Sequence, residues 1–517
     1  MSRFSLLILM SAAQLAAMSC KDCPPCPCAD KQTADAKKAK AEANNTKAME
    51  ESDAGVAPQG MNAKPQEVKE FKLFGRAGFE RVNVFEKPDM DSPRIGYLRK
   101  GARIMVGDPK YSSASCPGGW FQVPTGGFVC QGRGMLVGAK PRYLRNPPPE
   151  GNFDELDPYR HGFIRKDWTP SYKRLPTIEE LWTPPTKDGE PAPAAASDTD
   201  TDATGAAPLA EAEILQHDPN EADGGVDYYK YTKKKFRAVA QLLSRGFWVS
   251  IGERLFDDKT HKYYYKTVKG QYVPGESVHL IQPPEFQGYP VTGDTPLPAA
   301  IVTDKHASFF TLRRDRFGGA GPVDRLMSYR VFETKQSGNT AYYRVERDRW
   351  LKDSQVAFFS LVAPPPEIKD KEKWIRVDLA NQTLVAYEGA MPVYVTLVST
   401  GIADSEETAT PRGKFHILFK HLTDDMAGEV GDDEVYSVED VPWVQYIHLN
   451  VALHGSFWHS SFGSTRSHGC INLSPADARW LFNWSGPVLP ENWHGVVATE
   501  KNPGTLVIIE GQPPKKK

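Results

Sequence analysis

Hydrophobic and polar positions alternate along this chain in short runs, and three of those runs share one layout. Trp120-Phe121-Gln122-Val123 leads through Gly126-Gly127 to Phe128-Val129. Tyr264-Tyr265-Lys266-Thr267 leads through Gly270 to Gln271-Tyr272-Val273, and Tyr342-Tyr343-Arg344-Val345 leads through Asp348 to Arg349-Trp350-Leu351. Each is an aromatic and β-branched run, a tight turn at Gly or Asp, and a second such run, which is the pattern of a β-hairpin. Its repetition predicts three small β modules. After Pro364-Pro365-Pro366, a chain breaker, the runs lengthen to Trp374–Leu379, Thr383–Tyr387 and Pro392–Thr400, predicting a β-rich last domain. One helix is expected there: Ser474 as N-cap, Pro475 at the first helical position and Asp477 in the first turn open a segment running through Phe482. The expected fold is mainly β, with small modules followed by a β-rich domain that carries one short helix.

Between these runs lie stretches too polar to build a core. From Ala29 to about Glu70 the chain is Ala, Lys, Glu, Asn and Asp with almost no large apolar residue, so it reads as a tether. Pro184 to Gly225, with Ala-Pro-Ala-Ala-Ala-Ser-Asp-Thr-Asp-Thr-Asp, reads the same way and divides the chain into two folded parts. The Pro- and charge-rich stretch 141–185 either packs on a module or merely connects. The 517 residues exceed what one core supports. They divide into a leader (1–19), a tether (20–70), a first module (71–140), a connecting region (141–225), two further modules (226–365), the last domain (366–512) and a basic tail (513–517).

The charge balance, 63 basic against 65 acidic residues, offers no electrostatic case for a nucleic-acid partner. The amino terminus is more informative. Met1-Ser2-Arg3 carries one positive charge, and Phe4 to Met18 is apolar but too short to span a bilayer, as in a signal peptide. Its end, Leu15-Ala16-Ala17-Met18-Ser19-Cys20, resembles a bacterial lipoprotein cleavage box. That resemblance implies acylation of Cys20, attachment to a membrane through the N-terminal lipid and a place in the periplasm or cell envelope; simple secretion is the alternative. Lys21 leans toward the outer membrane in a Gram-negative cell.

Export makes a disulfide chemically allowed, and the seven cysteines fall into three groups. Cys20, Cys23, Cys26 and Cys28 crowd the start, where Pro24, Pro25 and Pro27 argue against a metal cluster. Cys116 and Cys130 are expected to pair. Cys470 stands alone, and its surroundings explain why. Leu453-His454-Gly455-Ser456-Phe457-Trp458-His459 precedes Ser467-His468-Gly469-Cys470-Ile471-Asn472-Leu473. A thiol acts as a nucleophile only as thiolate, so it needs a base and donors for the oxyanion it creates. His454 can return to the sulfur through a loop, His468 flanks it, and Gly469 removes a side chain where a substrate carbonyl must meet backbone N–H groups. The helix start behind Cys470 would favour the thiolate if its axis points at the sulfur. The spacing of His454, His459, His468 and Cys470 fits no common zinc motif, and no metal or cofactor is expected. The acidic segment Asp424 to Asp440 is either a lid beside the site or a solvated loop.

His-Gly-Ser followed by Ser-His-Gly-Cys-Ile-Asn-Leu resembles the signature of YkuD-type L,D-transpeptidases. Thr410-Pro411-Arg412-Gly413-Lys414-Phe415 and Ser399-Thr400-Gly401 are similar to two earlier motifs of that family, in the same order. The resemblance covers about Trp374 to Glu510. It implies Cys470 as the acyl-accepting nucleophile, His454 as general base and the Gly455 carbonyl as its orienter. It also implies an oxyanion hole around His468, Gly469 and Cys470, and a pocket shaped by Trp458, Ser467, His468 and Asn472, the last standing where many members carry Arg. The implied substrates are peptidoglycan peptide stems. Arg81-Val82-Asn83-Val84 through Gly96-Tyr97-Leu98-Arg99-Lys100-Gly101 to Val129 resembles a bacterial SH3-like (SH3b) domain, with looser matches in the other two modules; their aromatics then either bind the wall or fill small barrels.

Overall fold

The structure is a computed structural model that describes residues 70–107, 111–145, 147–182, 237–402, 408–428, 436–448 and 450–514. The leader, Cys20, the tether up to residue 69, the whole Ala-Asp-rich stretch from Pro184 to Gly225 and the end of the basic tail lie outside the described residues.

The last domain is built from two sheets closed over one core. In the first sheet, Met391–Leu397, Thr383–Glu388 and Lys373–Asp378 form an antiparallel meander, continued by Leu506–Glu510 in parallel and Gly413–His416 in antiparallel pairing. In the second, Phe419–Ala427 pairs with Ser437–His448, which pairs with Val451–Gly455, which runs parallel to Ile471–Leu473. Ile375, Val377, Leu384, Ile447, Leu453, Ile471 and Leu473 fill the space between them, joined by Leu481 and Phe482 of the helix Pro475–Trp484.

The helix is fastened at both ends. Ser474 Oγ accepts the Asp477 N–H at 3.1 Å and donates to the Asp477 carboxylate at 2.7 Å. That carboxylate also accepts from Tyr394 Oη (2.8 Å), Thr396 Oγ1 (2.6 Å) and the Gly288 N–H (2.8 Å), tying the first turn to the first sheet. At the other end the buried Lys420 ammonium donates to the Phe482 and Ser485 carbonyls, satisfying acceptors the helix leaves open.

The three N-terminal modules are present as antiparallel sheets, but the pairing does not close them into barrels. In the first, Phe71–Ala77 pairs with Arg103–Gly107 and Met135–Gly138, Arg81–Phe85 pairs with Arg94–Arg99, and the bonded Cys116 and Cys130, with Cα atoms 5.9 Å apart, link Cys116–Gln122 to Phe128–Cys130. Instead of closing, Arg94–Arg99 pairs outward with Gly495–Val497 of the last domain, and Trp493 enters the module's core beside Val84, Leu98 and Val129. Of the repeated aromatics, Trp120, Tyr264 and Trp350 are buried and serve as core.

The described part of the 141–225 stretch, up to residue 182, is more than a connector. Arg160–Ile164 pairs with Trp248–Asp257 and Val278–Leu280, and Thr169–Tyr172 pairs with Val239–Leu243. The second module is therefore assembled from both sides of the Ala-Asp-rich stretch, which is an insertion within it and not a boundary between two parts. Local sequence hides this because each strand finds its partner about 70 or more residues away, without a hairpin turn to announce it. The third module, with Ala299–Val302 between Ser328–Arg330 and Val356–Phe359, packs Ile301, Ala357 and Phe359 against Trp374, Tyr387 and Phe462 of the last domain.

Candidate active site

The parallel pairing of Val451–Gly455 with Ile471–Leu473 sets the site. Leu453 lies opposite Ile471 and His454 opposite Asn472, so the histidine is one strand away from the segment that Cys470 opens. Gly469 immediately before it has φ +115°, a conformation that glycine adopts freely and L side chains do not. Two hydroxyls hold this turn. Ser467 Oγ donates to the Cys470 carbonyl at 2.5 Å, and Thr410 Oγ1 donates to the Gly469 carbonyl at 2.8 Å while accepting the Gly401 N–H at 2.8 Å. Gly401 has no room for a Cβ, which would lie 2.2 Å from the Thr408 carbonyl and 2.9 Å from the Gly469 nitrogen. The separated Ser399-Thr400-Gly401 and Thr410-Pro411 motifs thus meet at the back of the nucleophile turn, with Ser399 and Asn472 exchanging main-chain bonds at 2.9 Å.

The chemistry of the pair is that of two neutral groups. His454 is buried, with Nδ1 3.2 Å from the Gly455 carbonyl. A carbonyl only accepts, so Nδ1 carries the proton and Nε2 is left as a base. Burial lowers the His454 pKa to about 4, against the opposing pull of that carbonyl, so the ring is neutral at rest. The Cys470 thiol is half-buried and faces the Asn450 carbonyl at 3.7 Å; loss of hydration pushes its pKa up. The helix does not reverse this. Its first turn is occupied by the Asp477 carboxylate, and Ile471–Leu473, an extended run of about 10 Å, separates it from the sulfur. The condition under which the helix would favour a thiolate is not met, and the thiol is protonated, one strand away from a neutral base.

The other predicted residues gather around this pair. Trp458 lies over the His454 ring with centroids 5.8 Å apart. His468 is exposed and stacks on Tyr436 at 5.7 Å. Ser467 spends its hydrogen on the main chain, so toward a ligand it only accepts. Asn472 is buried, with its amide 3.0 Å from His459 Nε2. His459 Nδ1 accepts the Ser461 N–H at 3.2 Å, and the Asn472 atom that faces Nε2 is its Nδ2. Burial, then Arg466 and His454, hold the His459 pKa down to about 3. Cys116 and Cys130 lie in the first module, and Cys20 lies outside the described residues.

Of the site's far wall, sequence reasoning placed only the acidic segment, as one of two alternatives. Cys470 packs in an apolar cluster with Val438, Val444, Met426, Tyr436 and Tyr446 of the Phe419–Ala427/Ser437–His448 hairpin, and with Trp248 and Ile281 of the second module. Tyr446 Oη donates to the Asp424 carboxylate at 2.9 Å, which also meets His421 Nδ1 at 3.0 Å. The ends of the acidic segment, Asp424 to Ala427 and Ser437 to Asp440, are strand residues of that hairpin, with Glu439 and Asp440 buried, and neither is a solvated loop; residues 429–435 lie outside the described residues. Only the mixture of acids with Val438 and Val441 hinted at burial.

Residues 372–509 match the family model of the YkuD L,D-transpeptidase catalytic domain. Over 133 residues the chain is 29% identical to a putative L,D-transpeptidase, YciB, of Bacillus subtilis (strain 168), a match spanning 23% of this chain and 63% of that relative. Among solved structures, the chain is similar to the catalytic domain of the E. faecium L,D-transpeptidase (25% identity, 27% of this chain, 98% of that one, TM-score 0.21). A second is an L,D-transpeptidase from Stackebrandtia nassauensis (24% identity, 29% and 62%, TM-score 0.20). The stretch 372–509 is thus similar in sequence to YkuD-type L,D-transpeptidase catalytic domains, and the match spans less than two thirds of the curated relative.

Proposed function

We propose that this protein is a cell-wall L,D-transpeptidase that forms a thioester on Cys470. The observation that carries the reading is the neutral His454 imidazole, its Nδ1 committed to the Gly455 carbonyl, one strand away from the protonated Cys470 thiol in a domain of this family. His454 Nε2 takes the thiol proton as sulfur attacks the carbonyl of the third residue of a tetrapeptide stem. Main-chain N–H groups around His468, Gly469 and Cys470 hold the oxyanion. Collapse breaks the bond to the terminal D-alanine, whose nitrogen takes the proton from His454, and the acyl group remains on sulfur. An amine of a neighbouring stem then attacks the thioester, gives a proton to His454 and displaces Cys470, which recovers it; the product is a 3-3 cross-link. Water as acceptor makes the enzyme an L,D-carboxypeptidase, and an amine on a protein makes it a protein-to-wall transferase. The N-terminal modules are read as SH3b-like, and the acylated Cys20 as an envelope anchor.

Incubating the full chain with tetrapeptide muropeptides under reducing conditions, and following products by mass spectrometry, is expected to show D-alanine release that Cys470→Ala abolishes. Absence of both release and cross-linked product from the native sequence would leave a peptidoglycan-binding lipoprotein as the surviving reading.

A further inference from the structure

The wall of the site that faces Cys470 is held in place by residues outside the catalytic domain. At the hairpin Phe419–Ala427/Ser437–His448, three acids lie together, and each is taken by a group from the first or second module. Arg99 of the first module donates through one nitrogen to Asp440 Oδ1 (2.5 Å) and Thr423 Oγ1 (3.0 Å). Lys269 of the second module lies 2.9 Å from both Glu439 Oε1 and Asp425 Oδ2. Ser250 gives its N–H to Glu439 Oε2 at 3.1 Å and its hydroxyl to Asp440 Oδ2 at 2.5 Å, and His161 Nε2 meets the Glu439 carbonyl at 2.9 Å. Trp248 pairs with Val438 by main chain.

The clamped residues are next to those that touch the site. Asp440 itself has φ +50°, an unfavourable backbone for a non-glycine residue, and its main-chain N–H bonds Asp425 Oδ1 at 2.9 Å across the two strands. Glu439 follows Val438, a member of the cluster against which Cys470 packs; Asp425 precedes Met426, which packs on the same cluster; and Tyr436, three residues before Glu439, stacks on His468. A buried Asp440 deprived of Arg99 keeps an uncompensated charge, a situation that proteins relieve by moving the backbone or opening to water. The hairpin would then leave the geometry in which Val438, Tyr436 and Met426 share one apolar cluster with Cys470.

We propose that Arg99 and Lys269 are positioning residues of the acyl-transfer site, through which the first and second modules hold the acidic hairpin against Cys470. The inference rests on the transpeptidase reading for its substrate assay, but not for its geometry.

The test uses the full chain with Arg99→Met, Lys269→Met and the charge-keeping Arg99→Lys. Three quantities are read at a temperature well below every variant's Tm: kcat and KM for D-alanine release, the rate of iodoacetamide alkylation of Cys470, and Tm itself. The expected result is a fall of tenfold or more in kcat/KM for each Met variant, a change of at least fivefold in alkylation rate, and partial recovery of both in Arg99→Lys. A merely structural clamp would lower Tm and leave both rates alone; rates within twofold of the parent's in both Met variants overturn the proposal, whatever Tm does. If a Met variant fails to fold, Ser250→Ala, which removes one hydroxyl from the same cluster, is read in the same way, with a threefold or larger loss expected and an unchanged rate counting against it. If the parent chain releases no D-alanine, the transpeptidase reading fails by itself; the alkylation rates then decide the positioning role, a fivefold change supporting it and unchanged rates refuting it.

Discussion

Replacing Thr410 by valine tests whether the nucleophile turn is held from behind. The side chain is 5% exposed, and its one hydroxyl serves two buried main-chain groups, accepting from the Gly401 N–H and donating to the Gly469 carbonyl, both at 2.8 Å. Valine keeps the shape and removes both bonds, leaving a donor and an acceptor without partners; each such group costs about 1–3 kcal/mol, so the loss of stability is about 2–6 kcal/mol. The functional effect should exceed the thermodynamic one. The Gly469 carbonyl is part of the turn whose φ of +115° aims the neighbouring N–H groups, and a displacement of about 1 Å in such a site costs roughly a hundredfold in rate. Urea unfolding of the full chain gives the first quantity and D-alanine release at a fixed low substrate concentration the second, with Thr410→Ser expected to restore both. The reasoning is refuted if Thr410→Val unfolds within about 0.5 kcal/mol of the parent and keeps more than about half of its activity, since that is less than the loss of even one buried bond predicts.

Gly469→Ala meets no atom closer than 3.7 Å, so its whole cost is backbone strain, about 1–3 kcal/mol, and activity should fall with it; an alanine variant with parental kcat and Tm would remove Gly469 from the oxyanion geometry. Alkylation of Cys470 should have a pH midpoint above the ordinary thiol value of about 8.5, because burial raises this thiol; a midpoint below about 7.5 would mean a resting thiolate. Stability should fall with acid through His454, His459 and His494, whose pKa values burial lowers to about 4, 3 and 3. Below about 6.5 the unfolded chain takes up protons that these folded rings refuse, so stability is full above that pH and declines toward 4 by up to about 4 kcal/mol per pH unit for three groups. Equal urea midpoints at pH 7.5 and pH 5 would contradict it.

The site was legible where its parts are close in sequence. His454, Gly455, Trp458 and Ser467 through Asn472 occupy nineteen consecutive positions, 454–472, and their residue types state a chemistry before any fold is known. The helix behind them was equally local, its N-cap and first-turn acid readable at Ser474 and Asp477, although what that acid does was not: it bonds Tyr394 and Thr396, about 80 residues earlier. The modules were legible as hairpins and illegible as assemblies. Nothing in Arg160–Ile164 announces a partner at Trp248, and nothing near Arg99 points to Asp440, 341 residues away. Hydrophobic periodicity marks a strand's buried face; it carries no address for the strand or charge that covers it.

What the distant contacts add is a division of labour within the site. Thr410, Ser467, Ser399 and Asp477, the hydroxyls and the carboxylate packed behind the nucleophile turn, all bond main chain or hold the helix, and none has been left to meet a substrate as a free donor. In the proposed mechanism, reactivity rests on two neutral groups, Cys470 and His454, and on main-chain N–H groups of the Gly469 turn that these side chains hold. A neutral pair has no stored charge to compensate for poor alignment, because the proton must leave sulfur as the new bond forms. Such a site is sensitive to small rotations of its backbone, and the Gly469 turn and the acidic hairpin are two segments through which a rotation would reach it. The first is anchored from inside the catalytic domain by Thr410; the second is anchored from outside it by Arg99 and Lys269. On this argument the N-terminal modules are retained in the folded unit for the same physical reason as the Thr410 hydroxyl, as fixed points against which a weakly polar active site keeps its shape.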